Sequence, residues 1–183
     1  MKLNKLIAIA TISLLSGGIS MAQKALNLED IVAGNIIQTK GIGSMTWLKD
    51  GERYSRLENN KQTGGTDIVA YRAKDNSREV IIPSSLLTDK STGRPIPVRS
   101  VSWSADNEKV LIYNNTRRVW RYDTRGDYWV LNLKDGALRQ LGKGMPESSM
   151  MFAKFSPDGT RVAYVSNNNI YVEDIDSGKI TQL

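Results

Sequence analysis

Ala153-Lys154-Phe155-Ser156-Pro157-Asp158-Gly159, followed by Val162-Ala163-Tyr164-Val165, Asn169-Ile170-Tyr171-Val172 and Lys179-Ile180-Thr181-Gln182-Leu183, sets out a unit that occurs three times in this chain. The second copy runs through Val101-Ser102-Trp103, Ala105-Asp106-Asn107-Glu108, Val110-Leu111-Ile112-Tyr113, Asp127-Tyr128-Trp129-Val130-Leu131 and Leu138-Arg139-Gln140-Leu141. The first has Met45-Thr46-Trp47, Lys49-Asp50-Gly51-Glu52, Asp67-Ile68-Val69-Ala70-Tyr71 and Glu79-Val80-Ile81-Ile82. In each, an aromatic residue (Trp47, Trp103, Phe155) closes a short strand just before an Asp-rich turn. Near-continuous apolar runs mark strands covered on both faces. The later turns, Lys134-Asp135-Gly136 and Asp176-Ser177-Gly178, supply residues that tolerate positive φ.

The aromatic markers stand 56 and 52 residues apart. Four strands per period of about 40–50 residues is the pattern of a propeller blade. A β-sandwich also shows short strands and turns, but it gives no reason for the same aromatic–turn–strand order to return. The fold is read as all-β: a partial β-propeller of about three four-stranded antiparallel blades over residues 43–183. Three blades do not close a ring, so further C-terminal blades are expected. Residues 83–97, with Pro83, Pro95 and Pro97, read as a long polar connection between blades one and two.

Residues 1–22 read as an address. Lys2 and Lys5 precede the apolar run Leu6–Leu15, and Ser20-Met21-Ala22 places small residues at a cleavage site, predicting a signal peptide cut after Ala22. A run of ten residues, interrupted by Thr11 and Ser13, is too short to span a bilayer, so no membrane span is expected. Residues 23–42 form an N-terminal segment in which Asn27 caps a short helix beginning Leu28-Glu29-Asp30. The chain has no cysteine, hence no disulfide framework, which suits a secreted, periplasmic location. The net charge of +6 is mild and little clustered, and with export it argues against nucleic acid as a partner. Asn114-Asn115-Thr116 spells a glycosylation sequon but reads as a plain turn.

The most restrictive feature is the absence of histidine. Ser-His and Cys-His mechanisms need an imidazole to take and return a proton, so no catalytic residue is assigned within this chain. Ser156 reads as a turn residue, and Asp158 and Asp174 as turn or strand-end structure rather than a carboxylate pair. No metal-ligand spacing and no phosphate loop are present, so no cofactor or metal is expected.

One segment breaks the repeat. From Phe155 to Asn169 is 14 residues, whereas the equivalent step from Trp103 to Asp127 is 24. The extra residues, Thr116–Gly126, form a loop-like insertion that combines Arg117, Arg118, Arg121 and Arg125 with Trp120 and Tyr122. Functional groups are commonly added on such insertions, and guanidinium groups recognise carbonyl and carboxylate oxygens. Asp123 stands near enough in sequence to pair with one of these arginines.

Trp120-Arg121-Tyr122 followed by Gly126-Asp127-Tyr128-Trp129-Val130-Leu131-Asn132-Leu133 resembles the arginine-bearing segment of the dipeptidyl peptidase IV propeller, within the prolyl oligopeptidase superfamily. The resemblance runs on through the third repeat and includes Asn27-Leu28-Glu29-Asp30-Ile31, similar to the family's opening segment. It implies the N-terminal part of an eight-bladed propeller that caps an α/β-hydrolase domain in a bacterial, periplasmic serine-type peptidase. Such an enzyme removes dipeptides, with proline or alanine second, from peptide N-termini, and family members are often dimers. By position the resemblance assigns Arg121 to hold the substrate, with Arg118 and Arg125 near enough to take that role instead. The paired glutamates, nucleophile and its partners are expected downstream, so the chain alone is expected to be inactive. A non-catalytic propeller that binds a peptide or protein partner is the other reading.

Overall fold

A computed structural model describes residues 27–32, 41 and 43–183. The expected signal peptide and its cleavage site lie outside these residues. Two compact units divide the chain, residues 1–41 and residues 42–183. The first contains helix α1 (Leu28–Val32), in which Ile31 N–H donates to Asn27 O at 3.3 Å, consistent with Asn27 at the cap position.

The second unit is built of strands. Blade one comprises β1 (Thr46–Trp47), β2 (Arg53–Asn59), β3 (Thr66–Arg72) and β4 (Arg78–Ile82). A small hairpin follows, β5 (Thr88–Asp89) and β6 (Arg94–Pro95). Blade two holds β7 (Ser100–Trp103), β8 (Lys109–Val119), β9 (Tyr122–Asn132) and β10 (Leu138–Gln140). Blade three holds β11 (Met151–Phe155), β12 (Arg161–Ser166), β13 (Asn169–Asp174) and β14 (Ile180–Gln182). Each blade is a four-stranded antiparallel meander in sequence order, and none of these sheets closes on itself.

The repeat rests on the turn after the first strand. Ser104 Oγ donates to Asp106 Oδ1 and Ser156 Oγ to Asp158 Oδ1, each at 2.6 Å. The same aspartate oxygens accept the backbone N–H two residues on, from Glu108 and Thr160. Blade one has Leu48 at the serine position, and there Asp50 instead takes the Arg53 guanidinium at 2.7 Å. Three turns of one shape are thus held by two sets of side chains.

Blade two is buried on both faces, which explains its apolar runs. Val110, Ile112 and Leu131 pack with Ile68, Ile82, Leu87 and Ile96 toward blade one. The alternate residues Leu111, Tyr128 and Val130 pack with Val162, Tyr164 and Ile175 toward blade three. Strand alternation therefore gives one sheet two cores. Between blades two and three, buried Glu173 accepts from Gly142 N–H at 2.8 Å, Tyr164 O–H at 3.1 Å and Arg139 Nη2 at 3.2 Å.

Three expectations change. The 83–97 connection is not simply polar: it folds into a 3₁₀ turn (Ser84–Leu87) and the β5–β6 hairpin, which bury Leu87 and Ile96 in the inter-blade core. Asp67 fixes its start by accepting from Ser84 N–H at 2.7 Å. Asn114-Asn115-Thr116 is not a turn but lies within β8, with Asn114 buried and Asn115 at φ +43 in an irregularity of the ladder. The Thr116–Gly126 insertion is not a loop; it lengthens β8 and β9 to 11 residues each.

Candidate functional site

The lengthened β8–β9 hairpin is an arm that carries every arginine singled out in the sequence. Asn114 pairs with Asp127, Arg117 with Arg125, Arg118 with Asp123 and Val119 with Tyr122, leaving Trp120 and Arg121 as a two-residue tip. Shifts in register flank Arg117, so the arm changes twist beyond its root.

The root is rigid. Gly126 N–H donates to Met150 O at 3.0 Å and Met150 N–H returns to Gly126 O at 3.1 Å, tying the arm to the lead-in of blade three. A methyl group on Gly126 would lie 2.4 Å from Tyr113 Cε2 and 2.6 Å from Asn114 O, so only glycine fits. Buried Asp127 accepts from Ser148 N–H at 2.8 Å and from Asn115 Nδ2 at 2.7 Å. Asn115 Nδ2 also donates to Glu147 at 2.8 Å, and Ser148 Oγ donates to Asn115 O at 2.6 Å. The Tyr113 and Tyr128 rings stack at 4.8 Å, and burial pushes the Tyr113 phenol up to about 12.

Asp123 is committed away from the arm's arginines. Its Oδ2 pairs with Arg99 at 3.3 Å, and its backbone carbonyl accepts from Tyr113 O–H at 3.1 Å. Arg118 Nη2 reaches only the Arg121 carbonyl, at 3.5 Å. Among the described residues Arg117, Arg121 and Arg125 make neither a side-chain hydrogen bond nor an ion pair. All four guanidinium-bearing residues are exposed, as are Trp120 at 95 % and Tyr122 at 73 %. Chemically, the arm offers free planar donors beside aromatic surface on a braced root.

Residues 104–183 match the family model described as "Dipeptidyl peptidase IV (DPP IV) N-terminal region". That segment contains the whole arm and all of blade three. Together with the relatives below, this match supports an N-terminal propeller portion of a dipeptidyl peptidase. A probable dipeptidyl-aminopeptidase B of Aspergillus terreus is 25% identical over 177 residues, covering 92% of this chain and 19% of that protein. A protein of the same description from Chaetomium globosum is 29% identical over 83 residues, 45% of this chain and 9% of that one. The crystal structure of Porphyromonas gingivalis dipeptidyl peptidase 4 superposes with a TM-score of 0.63 at 22% identity, over 87% of this chain and 22% of that one. The likeness to that structure is one of fold. This propeller portion spans about a fifth of the length of the first of these relatives.

The sequence pointed to the arginines but missed the residues that hold the arm in place: Gly126, Asp127, Asn115, Ser148 and Met150. Gly126-Asp127 was available as a signal, since a glycine inside a strand pattern marks a close backbone approach. Ser156, Asp158 and Asp174 lie at turns or strand ends, as read from the sequence. Ser156 is locked in its turn, donating to Asp158 and accepting from Arg161 N–H at 3.0 Å. The Asp158 carboxyl is lowered to about 2 by its bonds to Ser156 and Thr160, and Asp174 is lowered by Ser177.

Proposed function

We propose that this propeller portion serves a serine-type exopeptidase that removes dipeptides, with proline or alanine second, from peptide N-termini. In this reading the propeller gates the site, and Arg121 at the arm tip holds a carbonyl oxygen of the bound peptide. The observation that supports it is an exposed guanidinium without an acceptor, presented on a braced arm within the family-matched segment. A guanidinium is a strong charge-assisted donor to a carbonyl or carboxylate oxygen.

The chemical step comes from elsewhere in the complete gene product. Nucleophilic attack by serine needs a general base, and this chain has no histidine. An α/β-hydrolase domain supplies the nucleophile and its base, and acidic groups outside this chain capture the substrate's free amine. Lys2, Lys5 and the apolar run that follows support export to the periplasm.

Incubation of the complete gene product with a peptide beginning Gly-Pro, followed by mass spectrometry, tests the reading. Stepwise loss of the intact Gly-Pro dipeptide is the expected result. Cleavage at internal bonds, or none at all, overturns it.

A further inference from the structure

The arm breaks three local rules within a few residues. Arg117 stands directly opposite Arg125 in the ladder, where side chains lie about 5 Å apart at Cβ and like charges destabilise the pair. Among the described residues neither guanidinium has a carboxylate partner. Trp120 adopts φ +61, a conformation that favours glycine and is rare for a bulky residue. Its indole is 95 % exposed and Tyr122 is 73 % exposed, a large apolar area given over to water.

The neighbouring carboxylates are engaged elsewhere. Asp123 pairs with Arg99, Asp127 with Ser148 and Asn115, and Glu147 with Asn115. The segment Thr116–Gly126 therefore holds four arginines against one aspartate that points its bond away from them. Local conflicts gathered in one place, on a root as ordered as this one, mark a surface shaped for a ligand rather than for stability.

We propose that the Arg117–Arg125 pair is an anion-recognising subsite for carboxylate side chains of the peptide lying along the arm, with Trp120 and Tyr122 covering its apolar parts. The inference rests on the peptidase reading and deepens it. Arg121 holds the backbone of the leading dipeptide, while Arg117 and Arg125 favour acidic residues further along the same peptide. Two adjacent guanidiniums can share one carboxylate through charge-assisted bonds, and the occupied subsite relieves the repulsion between them.

The test measures binding by the complete gene product, without requiring turnover. Fluorescein-labelled acetyl-Gly-Glu-Glu-Gly-Glu-Gly and its Gln counterpart are titrated by anisotropy; the acetyl cap prevents dipeptide removal. The wild-type protein is expected to bind the Glu peptide about tenfold more tightly, a preference lost in Arg117→Gln/Arg125→Gln. A control that removes two other exposed cations, Lys90→Gln/Arg94→Gln, keeps the preference. Because the arginine double variant removes a like-charge pair, its melting temperature is expected to hold or rise, which separates recognition from folding.

Equal affinity for the two peptides overturns the subsite. So does an equal loss in the Lys90/Arg94 control, which would make the effect one of bulk charge. A single-stranded oligonucleotide that displaces the Glu peptide at lower concentration than the unlabelled peptide itself also overturns it. Failure of the peptidase reading is visible separately, as absence of dipeptide release from a Gly-Pro peptide.

Discussion

The β8–β9 hairpin of blade two and the β12–β13 hairpin of blade three begin alike and end differently. In blade three the strands are six residues each and turn through Asn167 and Asn168 at φ +48 and +64. Asparagine tolerates both values, and the primed turn suits the twist of the strands. In blade two each strand is 11 residues long, a tryptophan takes the positive φ at the tip, and two arginines face each other. The shorter hairpin satisfies every local preference and builds the scaffold. The longer one departs from them, and it is also the segment with free donors. Where a repeat protein contradicts its own pattern, the contradiction is the better guide to function.

The contrast is broken most severely at the contact between the two blades. Glu173→Ala removes an acceptor shared by Gly142 N–H, Tyr164 O–H and Arg139, leaving the partly buried guanidinium without its carboxylate and with only the Asp174 carbonyl at 3.2 Å. The loss is expected to be about 3–5 kcal/mol, seen as a large fall in the melting temperature of the propeller in the complete gene product.

Next comes the root of the arm. Gly126→Ala forces a methyl group to 2.6 Å from Asn114 O, and backbone movement of this kind costs about 1–3 kcal/mol. Increased cleavage of the arm by an added protease, with blade three still protected, is the expected signature. A smaller effect of opposite sign sharpens the contrast. Trp120→Gly relieves the positive φ and is expected to stabilise by up to about 1 kcal/mol, whereas Asn167→Gly changes stability by only a few tenths of that. Both are read from melting curves recorded side by side.

The smallest effect is in pH. Asp50 and Asp158 sit at about 2 against an ordinary 3.8, lowered chiefly by bonds from Arg53 and Ser156 respectively. Groups held lower in the folded than in the unfolded state contribute stability that is present above about pH 4 and lost as pH falls toward 2. Melting temperature should therefore rise with pH across that window, and Asp158→Asn should flatten the slope.

The repeat was legible because it is written in both chemistry and spacing. Aromatic residue, Asp-rich turn and β-branched run return together, and the two-sided burial of blade two makes its strands apolar throughout. The second strand of blade one, Arg53–Asn59, was not legible in that way, since Arg53, Arg56 and Glu58 carry charge into a strand held largely by pairing. Residues 83–97 misled for a related reason. Their prolines and hydroxyl residues speak of a connection, yet two apolar residues, Leu87 and Ile96, reach the core. At the arm, composition revealed the arginines, while their pairing depends on a register that the irregularities around Arg117 displace. The brace formed by Asp127, Asn115 and Ser148 depends on contacts across up to 33 residues of chain, which no local pattern encodes.

The central claim, that this arm presents a substrate-binding arginine to a dipeptidyl peptidase, is met most directly by one kinetic comparison. Hydrolysis of Gly-Pro-p-nitroanilide is measured for the complete gene product and for its Arg121→Ala variant, with folding checked by melting temperature. Loss of a charge-assisted hydrogen bond predicts a fall in kcat/KM of about 30- to 1000-fold, equivalent to about 2–4 kcal/mol. Unchanged kcat/KM in the variant contradicts the assignment of Arg121, and no hydrolysis by the wild-type protein contradicts the peptidase itself.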